Sequence, residues 1–452
     1  MRRISAMAAL ALSLSAGAAV QAAEPAPVAN LPTLLFPRSE LPRVAAPPDA
    51  AATARELDAM RGMLATRPAD LGQRLQRWEA GGAIYRWNQV AVADQVDRFV
   101  LVAHGTRNLA LLHAALYDTT VAVAEARARY QRGSPAAIDP ALALPGMRPV
   151  ANSYPSEVAA VGEAAAIILG ALMPDRADAY RAMADEAVML RQQAEMEFPS
   201  DAEAGRAIGA AVAAVALQRA RTDGSDQRWA GTVPTGPGRW QGTTPYAPMA
   251  GSWRPFVLAS NDALRPPPPP AHDSEETLAA LAELKAYPRT PKTNHDAVYW
   301  EVFGGARIYQ LWNAELSRMV LEENLSASPH RVAAAYAALN IALYDSMLAC
   351  WEAKYTYWYI RPHQLDPALR PVVSVPGHPS YPSAHSCISS AAGGVMARQF
   401  PTDAEAFNEL ARRASESRIA AGLHFRFDVD AGNAIGQGVA DLVVAKLSPA
   451  MR

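Results

Sequence analysis

The residue types able to do chemistry gather late in the chain. Lys354, Arg361 and Arg418 are permanent cations, His385 and His424 are imidazoles, and Ser383 adds a hydroxyl. Arg361 lies seven residues after Lys354, so on one helix both project to nearly the same side, about 10 Å apart along the axis. That spacing suits an anion clamped from both ends, with Pro362 ending the helix behind Arg361. His385 follows Pro382, Ser383 and Ala384, which places it near a helix start, where free backbone N–H groups favour an anion. Gly422 is expected to break the helix after Arg418, and Asp428 lies four residues beyond His424. A carboxylate at that spacing accepts a hydrogen bond from the ring, fixes its tautomer and leaves the other nitrogen as nucleophile or ligand. Singly, each cation reads as a solvated surface charge and each histidine as a core or capping residue. Jointly they ask for a tetrahedral oxyanion of charge about −2 to −3. A metal cation has the wrong sign for such a cage.

Lys354-x6-Arg361-Pro362, Pro382-Ser383-Ala384-His385 and Ser417-Arg418-x5-His424-x3-Asp428 resemble the three-part signature of the vanadium haloperoxidase and type 2 phosphatidic acid phosphatase superfamily. One position departs, because Ala384 stands where the family usually has glycine; alanine can still offer its amide. The resemblance implies that His424 bonds to vanadium or attacks phosphorus, with Asp428 orienting it. It further implies that Lys354, Arg361, Arg418, Ser383 and the Ala384 amide hold the oxygens, and that His385 is the acid–base group. The same cage serves two activities. One is oxidation of halide by hydrogen peroxide at a bound vanadate; the other is acid phosphatase chemistry through a phosphohistidine, with no cofactor. A protein that merely binds phosphate is a third reading, disfavoured by the complete motif.

The elements that must position these residues are written twice. Ala115-Leu116-Tyr117-Asp118 recurs as Ala342-Leu343-Tyr344-Asp345 (342 − 115 = 227). Ser153-Tyr154-Pro155-Ser156 and Ala207-Ile208-Gly209 recur at Ser380 and Ala434 with the same offset. Between Ser153/Ser380 and Ala213/Ala440 about 22 of 61 positions are identical without a gap, which is a duplication. Both copies carry apolar residues at helical spacing, and neither shows the alternation of strands. An all-α fold of two helical bundles with proline-rich irregular connections is therefore expected. Only the second copy is equipped: Arg127, Ser134, Val158 and Glu197 occupy the first-copy positions of Lys354, Arg361, His385 and His424. Among the superfamily, lipid phosphatases are polytopic and secreted acid phosphatases have one small bundle. The long haloperoxidases have two, and the resemblance to them covers roughly residues 98–445, which favours the peroxidase.

Arg2 and Arg3 precede an apolar stretch ending in Val20-Gln21-Ala22, so residues 1–22 read as a signal peptide and the protein as periplasmic or secreted. In an oxidising compartment Cys350 and Cys387 can pair. Residues 23–97 are expected to wrap the outside, 98–220 to form the first bundle, 221–295 a Pro/Gly-rich connector, and 296–452 the second bundle. The formal charge of −2 provides no basic field for nucleic acid. Past the N-terminus no run of about 18 uncharged apolar residues is evident, so the chain is not expected to span a membrane. The expected partners are small molecules, namely halide and peroxide or a phosphoester. Helical bundles of this size often form homodimers.

Overall fold

The computed structural model describes residues 30–145, 150–301 and 304–451. The expected signal peptide lies outside them. Three helices precede the first copy: α1 (Ala50–Met63), α2 (Leu71–Glu79) and α3 (Ala83–Asp97). The first copy comprises α4 (Val102–Tyr130), the single turn α5 (Pro135–Ile138), α6 (Glu157–Leu172), α7 (Ala177–Gln193) and α8 (Pro199–Thr222). After an irregular excursion come α9 (Glu275–Ala286), α10 (Pro291–Glu301) and α11 (Ala306–Glu322). The second copy follows as α12 (Pro329–Tyr357), the single turn α13 (Pro362–Leu365), α14 (Ala384–Gln399), α15 (Ala404–Ala420) and α16 (Arg426–Met451). The fold is all-α. Among the described residues the only β pairing is one isolated antiparallel bridge between Arg239 and Tyr359.

The repeat in sequence is a repeat in structure. Adding 227 to the first residues of α4 to α8 gives the first residues of α12 to α16. Ser156 caps α6 by accepting from Ala159 N, and Ser383 caps α14 by accepting from Ser386 N. Gly205 and Gly209 on α8, like Gly432 and Gly436 on α16, mark where two helices touch backbone to backbone. A Cβ at these four positions would meet carbonyl oxygens of α14, of α6 or of their caps at 2.2–2.6 Å. The repeated Ala-Ile-Gly is thus a close-approach signal.

The two bundles meet along α4 and α12, which pack directly on each other. Leu109, Leu112 and Leu116 of one and Leu339, Leu343 and Met347 of the other belong to a single apolar core. Among the described residues one helix, α12, is long and apolar enough to cross a membrane, and its most apolar stretch is wholly buried within the protein. The charge of Asp345, with Tyr, Asn and Ser, interrupts that stretch, which is why it does not read as a continuous uncharged apolar run.

The two proline-rich regions are more helical than expected. The segment assigned to wrapping (23–97) is irregular only as far as Asp49, whose carboxylate accepts from Ala52 N at 2.8 Å and starts α1. The connector (221–295) contains α9, capped by Ser274, and the first residues of α10. Both irregular stretches are held by the repeated aspartate. Asp118 accepts from the N–H groups of Leu34 (2.9 Å) and Leu35 (2.7 Å). Asp345 accepts from Phe256 (3.0 Å), Val257 (2.7 Å) and Leu258 (3.2 Å).

Candidate active site

Lys354 and Arg361 do not share a helix. Trp358 takes a left-handed conformation (φ 50°) and ends α12, with its N–H on the Lys354 carbonyl. Residues 358–360 then run beside the connector, Trp240 N donating to Trp358 O (2.8 Å) and Ile360 N to Gly238 O (3.0 Å). Arg361 is extended, and Pro362 begins the short α13 instead of ending a helix. The heptad reading therefore fails at Trp358, where the chain turns to pair with Arg239. Lys354 Nζ donates to the carbonyls of Pro379 (2.9 Å), Ser380 (2.9 Å) and Pro382, which uses all three ammonium protons. Burial, then the nearby Arg361 charge, lower its pKa well below the ordinary value, with Asp428 opposing.

Arg361 is fully buried. Its Nε donates to His378 O (3.0 Å) and one terminal nitrogen to Leu423 O (2.9 Å), the latter also lying 3.4 Å from His424 Nε2. The other terminal nitrogen meets His378 Nδ1 at 3.1 Å. Ser383 is the N-cap of α14, and its N–H donates to the Asp428 carbonyl at 2.8 Å. The N–H groups of Ala384 and His385 open the helix and have no intrahelical acceptor. His385 Nε2 lies 2.9 Å from the Trp300 carbonyl, so it carries the proton and Nδ1 is left basic.

Arg418 ends α15, and Gly422 (φ 73°) reverses the chain as expected. Arg418 donates to Ser417 Oγ (3.0 Å) and Ala297 O (3.1 Å) and forms an ion pair with Glu301. His424 Nδ1 lies 3.0 Å from Asp428 Oδ2. The same carboxylate oxygen accepts from Ser380 Oγ and Phe425 N, so three donors fix one oxygen. Burial raises the Asp428 pKa, opposed by the Ser380 hydroxyl and by Lys354. Burial also pushes His424, His385 and His378 well below the ordinary imidazole value, and neighbouring cations add to it: Arg361 first for His424, Arg418 for His385, Lys354 for His378. All three rings are neutral at physiological pH.

A cavity of about 640 Å³ opens onto this cluster. Ala384, His385, Arg418 and His424 line it, whereas Lys354, Arg361, Ser383 and Asp428 stand behind its wall. The motif thus separates into a front row and a supporting row. His378, Glu301, Tyr246 and Trp351 line the same cavity and are not part of the sequence motif. A histidine four residues before Pro382 was a signal of sorts; nothing in the sequence marked Glu301. The donor set fits a tetrahedral oxyanion. With neutral imidazoles, Lys354, Arg361 and Arg418 outweigh Asp428 and Glu301 by one positive charge, and the α14 start adds free amides.

Residues 331–451 match the family model of the PAP2 superfamily. The second copy is a PAP2 superfamily domain. The whole fold matches that of a bacterial vanadium-dependent iodoperoxidase, with TM-score 0.63 and 23% identity over 81% of this chain and 96% of that one. A bacterial vanadium-dependent chloroperoxidase is similar in its apo form (TM-score 0.59, 14% identity, 77% and 95% covered) and its holo form (0.58, 14%, 78% and 93%). No curated protein matches the sequence.

The first copy lacks the donor set of the PAP2 domain and has a smaller cavity of its own. Arg127, Val158 and Arg191 line about 330 Å³ together with Glu79 and Glu157. Arg127 pairs with Glu157 (3.2 Å), and Arg191 pairs with Glu197 (2.9 Å) and Glu79. Ser156, the counterpart of Ser383, donates to Glu197 at 2.7 Å. Here the carboxylate of Glu197 stands where the PAP2 domain has His424, so the cations find their anion within the chain.

Proposed function

We propose that this protein is an exported vanadate-dependent haloperoxidase that oxidises halide with hydrogen peroxide, with vanadate held on His424. One observation carries the proposal. Asp428 fixes the His424 tautomer and leaves Nε2 unprotonated on a ring that lines a cavity also lined by His385, Arg418 and the α14 start. Vanadate, when bound, supplies a Lewis acid that activates peroxide toward halide. Arg418 and the amides of Ala384 and His385 would hold its oxygens, while Arg361 lies 3.4 Å from His424 Nε2. His385 accepts a proton at Nδ1 because Nε2–H is committed to Trp300. Lys354 ties down residues 379–382, so it orders the approach to α14. The similarity in fold to a bacterial vanadium-dependent iodoperoxidase supports this reading.

An acid phosphatase is the alternative, and the cavity volume favours it to the extent that an organic ester fits. Purified, vanadate-free protein should be assayed for iodide oxidation and for release of phosphate from p-nitrophenyl phosphate, with and without orthovanadate. Restoration of iodide oxidation by vanadate is expected. Phosphate release inhibited by vanadate, with no iodide oxidation, would overturn the proposal.

A further inference from the structure

The cavity in the first copy carries the opposite charge balance to the one beside His424. The duplication kept Arg127 and Arg191 at the positions of Lys354 and Arg418, but Ser134 stands at that of Arg361. Glu157 and Glu197 stand at those of Ala384 and His424. Arg127, Arg191, Glu157 and Glu79 line the cavity, and Glu197 pairs with Arg191. Three carboxylates therefore meet two guanidinium groups among the described residues, a surplus of one negative charge. Glu197 Oε1 is buried without a hydrogen-bond partner among the described residues, so the internal pairs leave acceptor capacity unused. Burial raises the Glu157 pKa; Arg127 and Arg191 oppose it, and the charge of Glu79 adds to the rise, as two carboxylates at one cavity must.

The rest of the wall decides what sort of cation fits. Trp78 supplies an indole, whose ring face attracts positive charge. Ile84, Val158 and Val332 are aliphatic. A metal ion would need a shell of oxygens that these side chains do not provide, whereas the alkyl part of an organic cation packs on them. The volume of about 330 Å³ lies at the low end of small-molecule sites, and Glu79 at its wall is 31% exposed, so the cavity opens to solvent. We propose that the first copy binds a small organic ammonium ion, its N–H groups on Glu79 and Glu157 and its alkyl groups against Trp78 and the aliphatic wall. Glu79 ends α2, Ile84 lies in the first turn of α3, Val158 is on α6 and Val332 on α12, so the bound ion joins the N-terminal helices to both copies. This site is separate from the oxyanion cage and needs nothing from the haloperoxidase reading.

The test is a calorimetric titration of the full-length protein with tert-butylammonium chloride. Controls are tert-butanol, a neutral molecule of the same shape, and potassium chloride at matched ionic strength. One ammonium ion bound per chain, no binding of either control and a raised thermal midpoint are expected. Glu79→Gln removes a half-buried carboxylate from the cavity wall and leaves Arg191 its pair with Glu197, so it should weaken binding roughly tenfold. Val158→Lys places an ammonium group on the wall itself. It should abolish binding of the free ion and raise the midpoint above that of Val158→Met, which fills similar space without the charge. Equal binding of tert-butanol, unchanged affinity in Glu79→Gln, or no saturable binding at millimolar concentrations would overturn the proposal. A Val158→Lys midpoint no higher than that of Val158→Met would do the same. So would competition by orthovanadate, which would place the ammonium ion at the second-copy cavity beside Glu301.

Discussion

At the residue scale, His424 has no substitute. Its Nε2 is the imidazole nitrogen left free by Asp428, so His424→Ala should abolish turnover and vanadate binding together, read by activity and by equilibrium dialysis. His385→Ala should be milder, lowering kcat by about 10²–10⁴-fold, since acid–base help is lost while the cationic cage survives. Glu301 acts in the opposite direction. It occupies Arg418 with a carboxylate at the cavity wall, so an incoming oxyanion must compete for that guanidinium. Glu301→Gln should tighten phosphate or vanadate binding by roughly tenfold, about 1.4 kcal/mol, in a calorimetric titration. A looser complex would show that Glu301 instead holds Arg418 in its binding position. The motif residues were legible because their chemistry is unusual in combination. Glu301 was not, because a glutamate ending a helix is common and only folding brings it to Arg418.

Helices and loops decide which way those residues face. The seven-residue spacing of Lys354 and Arg361 suggested one helical face, yet the left-handed Trp358 and the bridge to Arg239 end α12 between them. Pairing with a distant connector is a tertiary event that local periodicity does not encode. The disulfide between Cys350 and Cys387 joins α12 just before Lys354 to α14 just after His385, closing a loop of 37 residues. Cys350→Ala with Cys387→Ala should therefore lower stability by about 4 kcal/mol on the loop-entropy scale, seen as an earlier denaturation midpoint. The Ala-Leu-Tyr-Asp repeat was visible in sequence, but its purpose was not. Only the fold shows that each aspartate gathers the backbone amides of an irregular strap. Burial raises Asp345 to about 6, opposed by the amides of Phe256, Val257 and Leu258. An unfolded aspartate titrates near ~3.9, so the folded state binds this proton more tightly, and ionisation costs stability as pH rises from about 4 through about 6. Asp345→Asn cannot ionise. The advantage of wild type over that variant in urea unfolding should shrink between pH 4 and pH 7, by on the order of 2–3 kcal/mol.

On the scale of the whole molecule, duplication was legible from three anchors in one register, and the helix starts keep it to the residue. What the sequence did not convey is that the copies share one core, because which faces of α4 and α12 meet depends on both being present. The PAP2 domain should accordingly not stand alone. Residues 296–452 expressed by themselves would expose the face of α12 that now packs on α4, and near-UV circular dichroism should show no fixed aromatic environment. A sharp, native-like spectrum from that fragment would show that the first copy is dispensable for folding.

The first copy's cavity has a further consequence for stoichiometry. Glu79, Glu157 and Glu197 neutralise Arg127 and Arg191 from within the chain, so that half is permanently loaded with an anion it cannot exchange. A chain with two related cavities should therefore saturate at one equivalent of orthovanadate or phosphate, and a dialysis isotherm reaching two would show the first copy to be a working site as well.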